Sequence, residues 1–294
     1  MSEPQAPEDE VEASRMPLLD HLIELRNRLM YSIGAIFIAF VVCYFFAPHI
    51  YNLLMQPLVH AVGTEGRRMI FTAPQEAFFT YVRLSFWAAM LLSFPVIASQ
   101  VWMFVAPGLY KNERRAFMPF LVATPILFAM GGAFVYFFIM PLALKFFVGF
   151  EAPGGDGSIP IQLETKVSEY LSLVMTLIFA FGLAFEMPVL LTLLGRVGLA
   201  TSAGLASKRR YAIVGIFIFA AVVTPPDVIS QVGLAVPLLL LYEISIFSVK
   251  MIERDRAKRE AAERAAAEQE DAEASSAEPG GETAQQGEPP NPSA

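Results

Sequence analysis

Three carboxylates carry whatever specific chemistry this chain has. Glu186 lies in the middle of the apolar stretch 179–194 with no basic residue in the same run. An acid at the centre of a bilayer costs on the order of 3 kcal/mol on insertion scales, so its side chain must face water, a partner or another polar helix. Either it marks a functional site, or it is a protonated acid bonded to a neighbouring helix for structural reasons. Glu24 and Glu113 are each set in a basic cluster, Glu24-Leu25-Arg26-Asn27-Arg28 and Lys111-Asn112-Glu113-Arg114-Arg115. Glu24 and Arg28 are four apart and could form an ordinary surface pair worth about 0.3 to 0.5 kcal/mol. Alternatively, both carboxylates accept forked guanidinium bonds from an arginine-bearing ligand. Spacing alone does not bring the two acids together in space.

Other chemistries are poorly served. The histidines His21, His49 and His60 stand outside the apolar runs without the i, i+4 pairing of a zinc helix, so no metal site is expected. Cys43 is the single cysteine and sits in an apolar run, which excludes an intrachain disulfide and leaves the redox compartment open. A hydrolase within the membrane would need a nucleophile and base or an aspartate pair in the spans, and those runs offer no His or Asp for it. No enzyme activity and no cofactor are expected.

The elements that must position these acids are membrane helices. The chain of 294 residues is 55% hydrophobic and 17% charged, more apolar than one soluble core requires. Its formal net charge of -7 divides into -5 for residues 1–20, +3 for 21–249 and -5 for 250–294, so a mildly basic body carries acidic tails. Residues 1–15 are polar and acidic and are expected to be a disordered arm; residues 16–250 form the membrane domain; residues 251–294 are a charged tail, a frayed helix passing into disorder. Asp20 is placed to cap a short amphipathic helix that begins at His21 and feeds into the first span.

Spans are expected at 29–47, 84–105, 117–148, 170–194, 211–223 and 228–249. The fold class is therefore an all-α polytopic membrane protein with six transmembrane helices. Lysines and arginines near 26–28, 111–115, 196–210 and 250–259 fall on one side, while the opposite side holds Arg67, Arg68, Lys166 and the span-edge Arg83. The positive-inside rule puts both termini in the cytoplasm. The fifth span is too short to cross a full hydrocarbon core, and Thr224-Pro225-Pro226-Asp227 turns it into the sixth as a squat hairpin that thins the bilayer, with Asp227 a turn residue. Pro95, Pro125, Pro141 and Pro188 punctuate the longer spans and predict bent helices around a concavity. Trp102, Phe104, Pro107 and Tyr110 have the composition of an interfacial aromatic belt.

Several of these runs, taken in order, resemble the TatC family of twin-arginine protein translocases. They are His21-Leu22-Ile23-Glu24-Leu25-Arg26-Asn27-Arg28-Leu29, Pro74-Gln75-Glu76-Ala77-Phe78, the stretch from Gln100 to Arg115, Phe185-Glu186-Met187-Pro188 and Thr224-Pro225-Pro226-Asp227. The resemblance runs from about Leu18 to about Ser248, with Asp20 where a small hydroxyl residue is commoner. It implies a receptor and core subunit of a protein translocase in the bacterial inner membrane. Such a subunit binds twin-arginine signal peptides of folded cargo, assembles with the single-span subunits TatA and TatB, and self-associates in a larger complex. By the same resemblance Glu24 and Glu113 are the acidic partners of the signal arginines, with Arg26, Arg28 and Phe104 shaping the site. Glu186 faces a groove beside a signal peptide or partner helix, Thr224 and Gln231 are docking positions for the single-span subunits, and Pro57 is a sensitive position of the first external loop, with Asp227 a further external-loop residue. Nucleic acid is not among the partners implied. The rival reading is a proton-coupled secondary transporter with Glu186 as its proton site, although the internal repeats of such folds are not visible.

Overall fold

Inside hydrocarbon every backbone N–H and C=O needs a partner, and a single segment meets that demand by itself only as a helix. The computed structural model describes residues 7–63, 68–109, 118–152, 159, 161–224 and 228–277. These residues are almost wholly helical: α1 (Pro7–Phe45), α2 (Ala47–Val62), α3 (Glu76–Leu109), α4 (Met118–Phe134), a π-helical turn (Val135–Ile139), α5 (Met140–Val148), α6 (Val167–Ala184), α7 (Met187–Arg196), α8 (Ser202–Ser207), α9 (Arg209–Val223) and α10 (Val228–Ala277). Extended pairing among the described residues is limited to the isolated bridges Ile70 with Lys166 and Ala152 with Ile161.

Among the described residues, five stretches are long and apolar enough to cross a membrane: His21–Phe45, Glu76–Phe104, Pro119–Val148, Val167–Arg196 and Ser230–Gln269. The chain is thus an all-α, multi-pass membrane protein. The remaining expected span is α9, whose fifteen residues rise roughly 22 Å against roughly 30 Å of hydrocarbon. One face carries Ile216 into the core, and the other presents Val222 at 79% and Ile218 at 60% exposed, as lipid-facing residues do.

The start of the first helix differs from expectation. Helix α1 begins at Pro7 rather than near Asp20, so the stretch 7–15 is helical and Asp20 lies inside the helix instead of capping it. Extending a helix that already exists costs far less than nucleating one, and Glu, Ala and Arg in this stretch are good formers. At the other end α10 runs fifty residues, to Ala277. Residues 278–294 lie outside the described residues.

Prolines act unequally. At Pro141 and Pro188 the helix is interrupted, by the π turn before α5 and by the break at Phe185 and Glu186 before α7, with each proline in the first turn of the new helix. There its missing N–H leaves no bond unmade. Pro125 lies inside α4 and Pro237 inside α10 without ending either helix, and Pro95 falls within α3.

The core gathers Leu84 of α3, Val135 of the π turn, Met140 of α5, Leu171 and Phe181 of α6 and Leu234 of α10. Helices α4 and α6 meet most closely. A Cβ on Gly131 would fall 2.5 Å from the Phe181 carbonyl oxygen, and one on Gly182 would fall 2.6 Å from the Phe128 ring. Phe128 is itself stacked on Phe94, centroids 3.6 Å apart, so it has little room to yield.

Candidate functional site

Periodicity places His21, Glu24 and Arg28 on one face of α1, at i, i+3 and i+7. The structure turns that face toward the far end of α3. The His21 and Phe104 rings stack with centroids 4.3 Å apart and planes 17° from parallel. The opening segment of α1 and the last turns of α3 therefore meet in space, which spacing did not reveal. Arg28 donates from Nε at 2.9 Å and from Nη2 at 2.5 Å to Glu24 Oε1, so the i, i+4 pair is made. Arg26 lies off that face and donates to Asn27 Oδ1 at 3.2 Å. Glu113 lies outside the described residues, and its distance from Glu24 is not fixed.

Trp102 has a more specific place than a belt residue. Its Nε1–H donates to Thr124 Oγ1 at 3.1 Å, and its ring stacks on Phe120 at 5.7 Å, over which Arg196 sits at 5.8 Å. The ends of α3, α4 and α7 are joined by this group.

Glu186 occupies the break between α6 and α7. Its N–H donates to Leu183 O at 3.0 Å and its carbonyl accepts from Leu190 N at 2.9 Å, so the chain keeps helical bonding around the break. The polar groups its carboxyl meets are the Thr124 hydroxyl and the Phe128 backbone. Oxygen Oε1 is nevertheless buried without a hydrogen-bond partner among the described residues. Glu186 borders a cavity of about 470 Å³ between α6, α7, α9 and α10, whose walls include Leu183, Met187, Ala212, Phe219, Leu238 and Tyr242. An apolar cavity with one unsatisfied carboxylate oxygen can receive an apolar helix that brings a hydrogen-bond donor. Thr124 links Trp102 to this acid and was missed in the sequence, where its one signal is a hydroxyl residue just before Pro125 in an apolar run.

The two docking candidates on the hairpin are bonded within it. Thr224 is buried and donates to Ala220 O at 2.8 Å, while Gln231 Nε2 donates across the hairpin to Phe217 O at 3.2 Å. Pro225, Pro226 and Asp227 lie outside the described residues. The 197–208 connection is pinned to α10 by Glu253, which accepts Ser202 N–H at 2.8 Å, and by Tyr242, whose hydroxyl donates to Leu205 O at 2.8 Å. Arg209 and Glu243 add a two-point ion pair at 2.8 Å.

Pro57 acquires a physical role. It lies buried inside α2, where a proline leaves the carbonyl four residues earlier without its helical donor. That carbonyl, of Leu53, accepts the Tyr136 hydroxyl at 2.8 Å, and the next, of Leu54, accepts Tyr170 at 2.9 Å. Alongside, Glu76 gathers Ser168 Oγ at 2.5 Å, Thr72 N at 2.8 Å and Lys166 Nζ at 3.8 Å. This network ties the start of α3 to the start of α6, and its partners far apart in sequence gave no local signal.

A family model described as Sec-independent protein translocase protein (TatC) matches residues 20–237. Among similar proteins, the Sec-independent protein translocase protein TatC of Magnetococcus marinus is 51% identical over 247 residues, covering 84% of this chain and 89% of that protein. The protein of the same description from Escherichia coli strain K12 is 44% identical, covering 79% and 87%. A crystal structure of the twin-arginine translocase receptor TatC superposes with a TM-score of 0.67 at 39% identity, covering 79% of this chain and 99% of the other. Nothing in these similarities supports the proton-coupled transporter.

Proposed function

This chain belongs to the Sec-independent protein translocase (TatC) family, and from that premise we propose that it is the receptor subunit that binds twin-arginine signal peptides on its cytoplasmic side. The observation that supports the proposal is the His21–Phe104 stack, which sets the Glu24 face of α1 beside the end of α3, the helix that precedes Glu113 in sequence. Arg28 already presents to Glu24 the forked guanidinium that a visiting arginine would bring. Displacing or sharing that fork costs about 0.3 to 0.5 kcal/mol, the worth of an exposed i, i+4 pair. A visiting guanidinium brings the same kind of charge-assisted bond, so sharing Glu24 costs little and net affinity comes from the second carboxylate and from the apolar part of the signal segment. Arg26 and Arg28 set the local charge against which two incoming cations are placed, and Phe104 supplies an apolar wall.

The test is site-specific crosslinking of the full chain in membranes to a signal peptide bearing Arg-Arg or its Lys-Lys version. Glu24→Gln and Glu113→Gln should each weaken the Arg-Arg peptide about tenfold or more and the Lys-Lys peptide much less, because an ammonium lacks the planar fork. Equal losses for the two peptides would rule out direct arginine pairing.

The rest of the reading follows the family. Six spans with both termini in the cytoplasm of a bacterium, in its inner membrane, accommodate α9 as a short fifth span. The single-span subunits TatA and TatB dock on the hairpin near Thr224 and Gln231 and along the cavity bordered by Glu186, and several copies associate in the complex. Pro57 acts by shaping the external segment, and Asp227 by closing the hairpin turn.

A further inference from the structure

Arg83 is the one cation of α3, seven residues in from Glu76 and so about 10 Å along the helix. A guanidinium at that depth requires a partner or a path to water. It has neither hydrogen bond nor ion pair among the described residues. The acid nearest to hand, Glu169, is directed to Lys166 at 3.8 Å, as is Glu76.

Two hollows meet at this residue. One, of about 350 Å³, is polar: Arg83 from α3 faces Ser168, Ser172 and Thr176 of α6, with Glu169 and Leu173 completing the lining. The three hydroxyl residues recur at i, i+4 and i+8 and so form one stripe. The other hollow, of about 490 Å³, lies on the opposite flank of α3 against α1. Apart from Arg83 its walls are apolar: Ile33, Ile36, Phe37, Phe40, Val82 and Phe86. From Phe40 to Ile33 it runs about 10 Å further from the Glu76 end, toward the middle of the bilayer.

A cation with hydroxyls at headgroup depth, continuous with an apolar trough pointing to the membrane centre, matches a molecule that has an anionic head and a hydrocarbon chain. We propose that the α1–α3–α6 face binds an anionic phospholipid of the leaflet at the Glu76 end of α3. The phosphate accepts from the Arg83 guanidinium and from the hydroxyls of Ser172 and Thr176, and one acyl chain lies in the α1–α3 trough. Arg83 favours an anionic lipid over a zwitterionic one, because a choline head would bring a second cation toward Arg83 and Lys166.

The experiment is native mass spectrometry of the full chain released from micelles holding equal amounts of palmitoyl-oleoyl phosphatidylglycerol and phosphatidylcholine. The wild type should retain the glycerol lipid about tenfold over the choline lipid. Arg83→Gln should remove that preference and Arg83→Lys should keep most of it, while Lys250→Gln, a cation at the other membrane surface, should leave it unchanged. Should Arg83→Gln fail to fold, the double variant Ser172→Ala, Thr176→Val is the second probe, with an expected several-fold weakening. A wild type with no headgroup preference overturns the proposal, as does a preference that persists in Arg83→Gln. Displacement of the lipid by excess inorganic phosphate would also overturn it, since the trough would then contribute nothing.

Discussion

A single hydroxyl decides how two of the most telling side chains are satisfied. Thr124 accepts the Trp102 indole N–H and lies against the Glu186 carboxyl, whose other oxygen has no partner. Thr124→Val keeps the shape and removes the hydroxyl, leaving a half-buried indole donor unsatisfied, and should lower unfolding free energy by about 1 to 3 kcal/mol. Thr124→Ser should restore most of it. Thermal unfolding in detergent, followed by Trp102 emission in a Trp87→Phe background, measures both, and a Val variant as stable as wild type would remove Thr124 from this role. Glu24 was legible at this scale because its partner is four residues away on the same helix. Thr124 was not, because its partners come from α3 and from the break after α6, and no local pattern encodes which hydroxyl in an apolar run points inward.

Among elements, the instructive comparison is between prolines. Pro141 and Pro188 end helices, as a reading of breakers predicts, whereas Pro125 and Pro237 ride inside theirs. Whether a proline breaks a helix depends on who receives the carbonyl it strands, and that is a tertiary question. Pro57 answers it visibly through Tyr136. With Pro57→Ala the Leu53 carbonyl regains a helical donor, so Tyr136→Phe should cost about 1 kcal/mol in the wild-type background and little in the alanine background. Additive losses in that double-mutant cycle would show that the two residues act independently. At the α4–α6 crossing, Gly131→Ala should destabilise by about 1 to 3 kcal/mol, because the atom it would strike is a backbone oxygen that cannot rotate away. A melting temperature equal to that of wild type would refute this. Five of the expected spans were legible because apolar length is a one-dimensional property, and α9 falls short by the same measure. The start of α1 was placed too late because composition describes a segment alone, while that helix is carried outward from a stable span.

At the scale of the whole molecule, the segments 68–76 and 161–168 are joined through Glu76 and the bridge between Ile70 and Lys166. Glu76→Gln should loosen both together, seen as faster amide exchange at Ile70 and Val167, whose N–H groups donate to Thr165 and Ile70 carbonyls. Faster exchange in one segment with the other unchanged would mean that Glu76 does not couple them. The sequence names the acid within a motif but gives no hint of a serine ninety-two positions away, and pairings at such separation are where reading along the chain stops.

Helix α10 has a consequence of its own. Fifty residues reach about 75 Å, and hydrocarbon takes only about 30 Å of that, so a mast some 40 Å tall rises clear of the lipid. Its flank is braced by contacts such as Arg256 with Glu260. Anything bulky that approaches the bundle along that surface from behind the helix meets the mast first. The open sector of approach is thus set by a rod that stands beside the bundle.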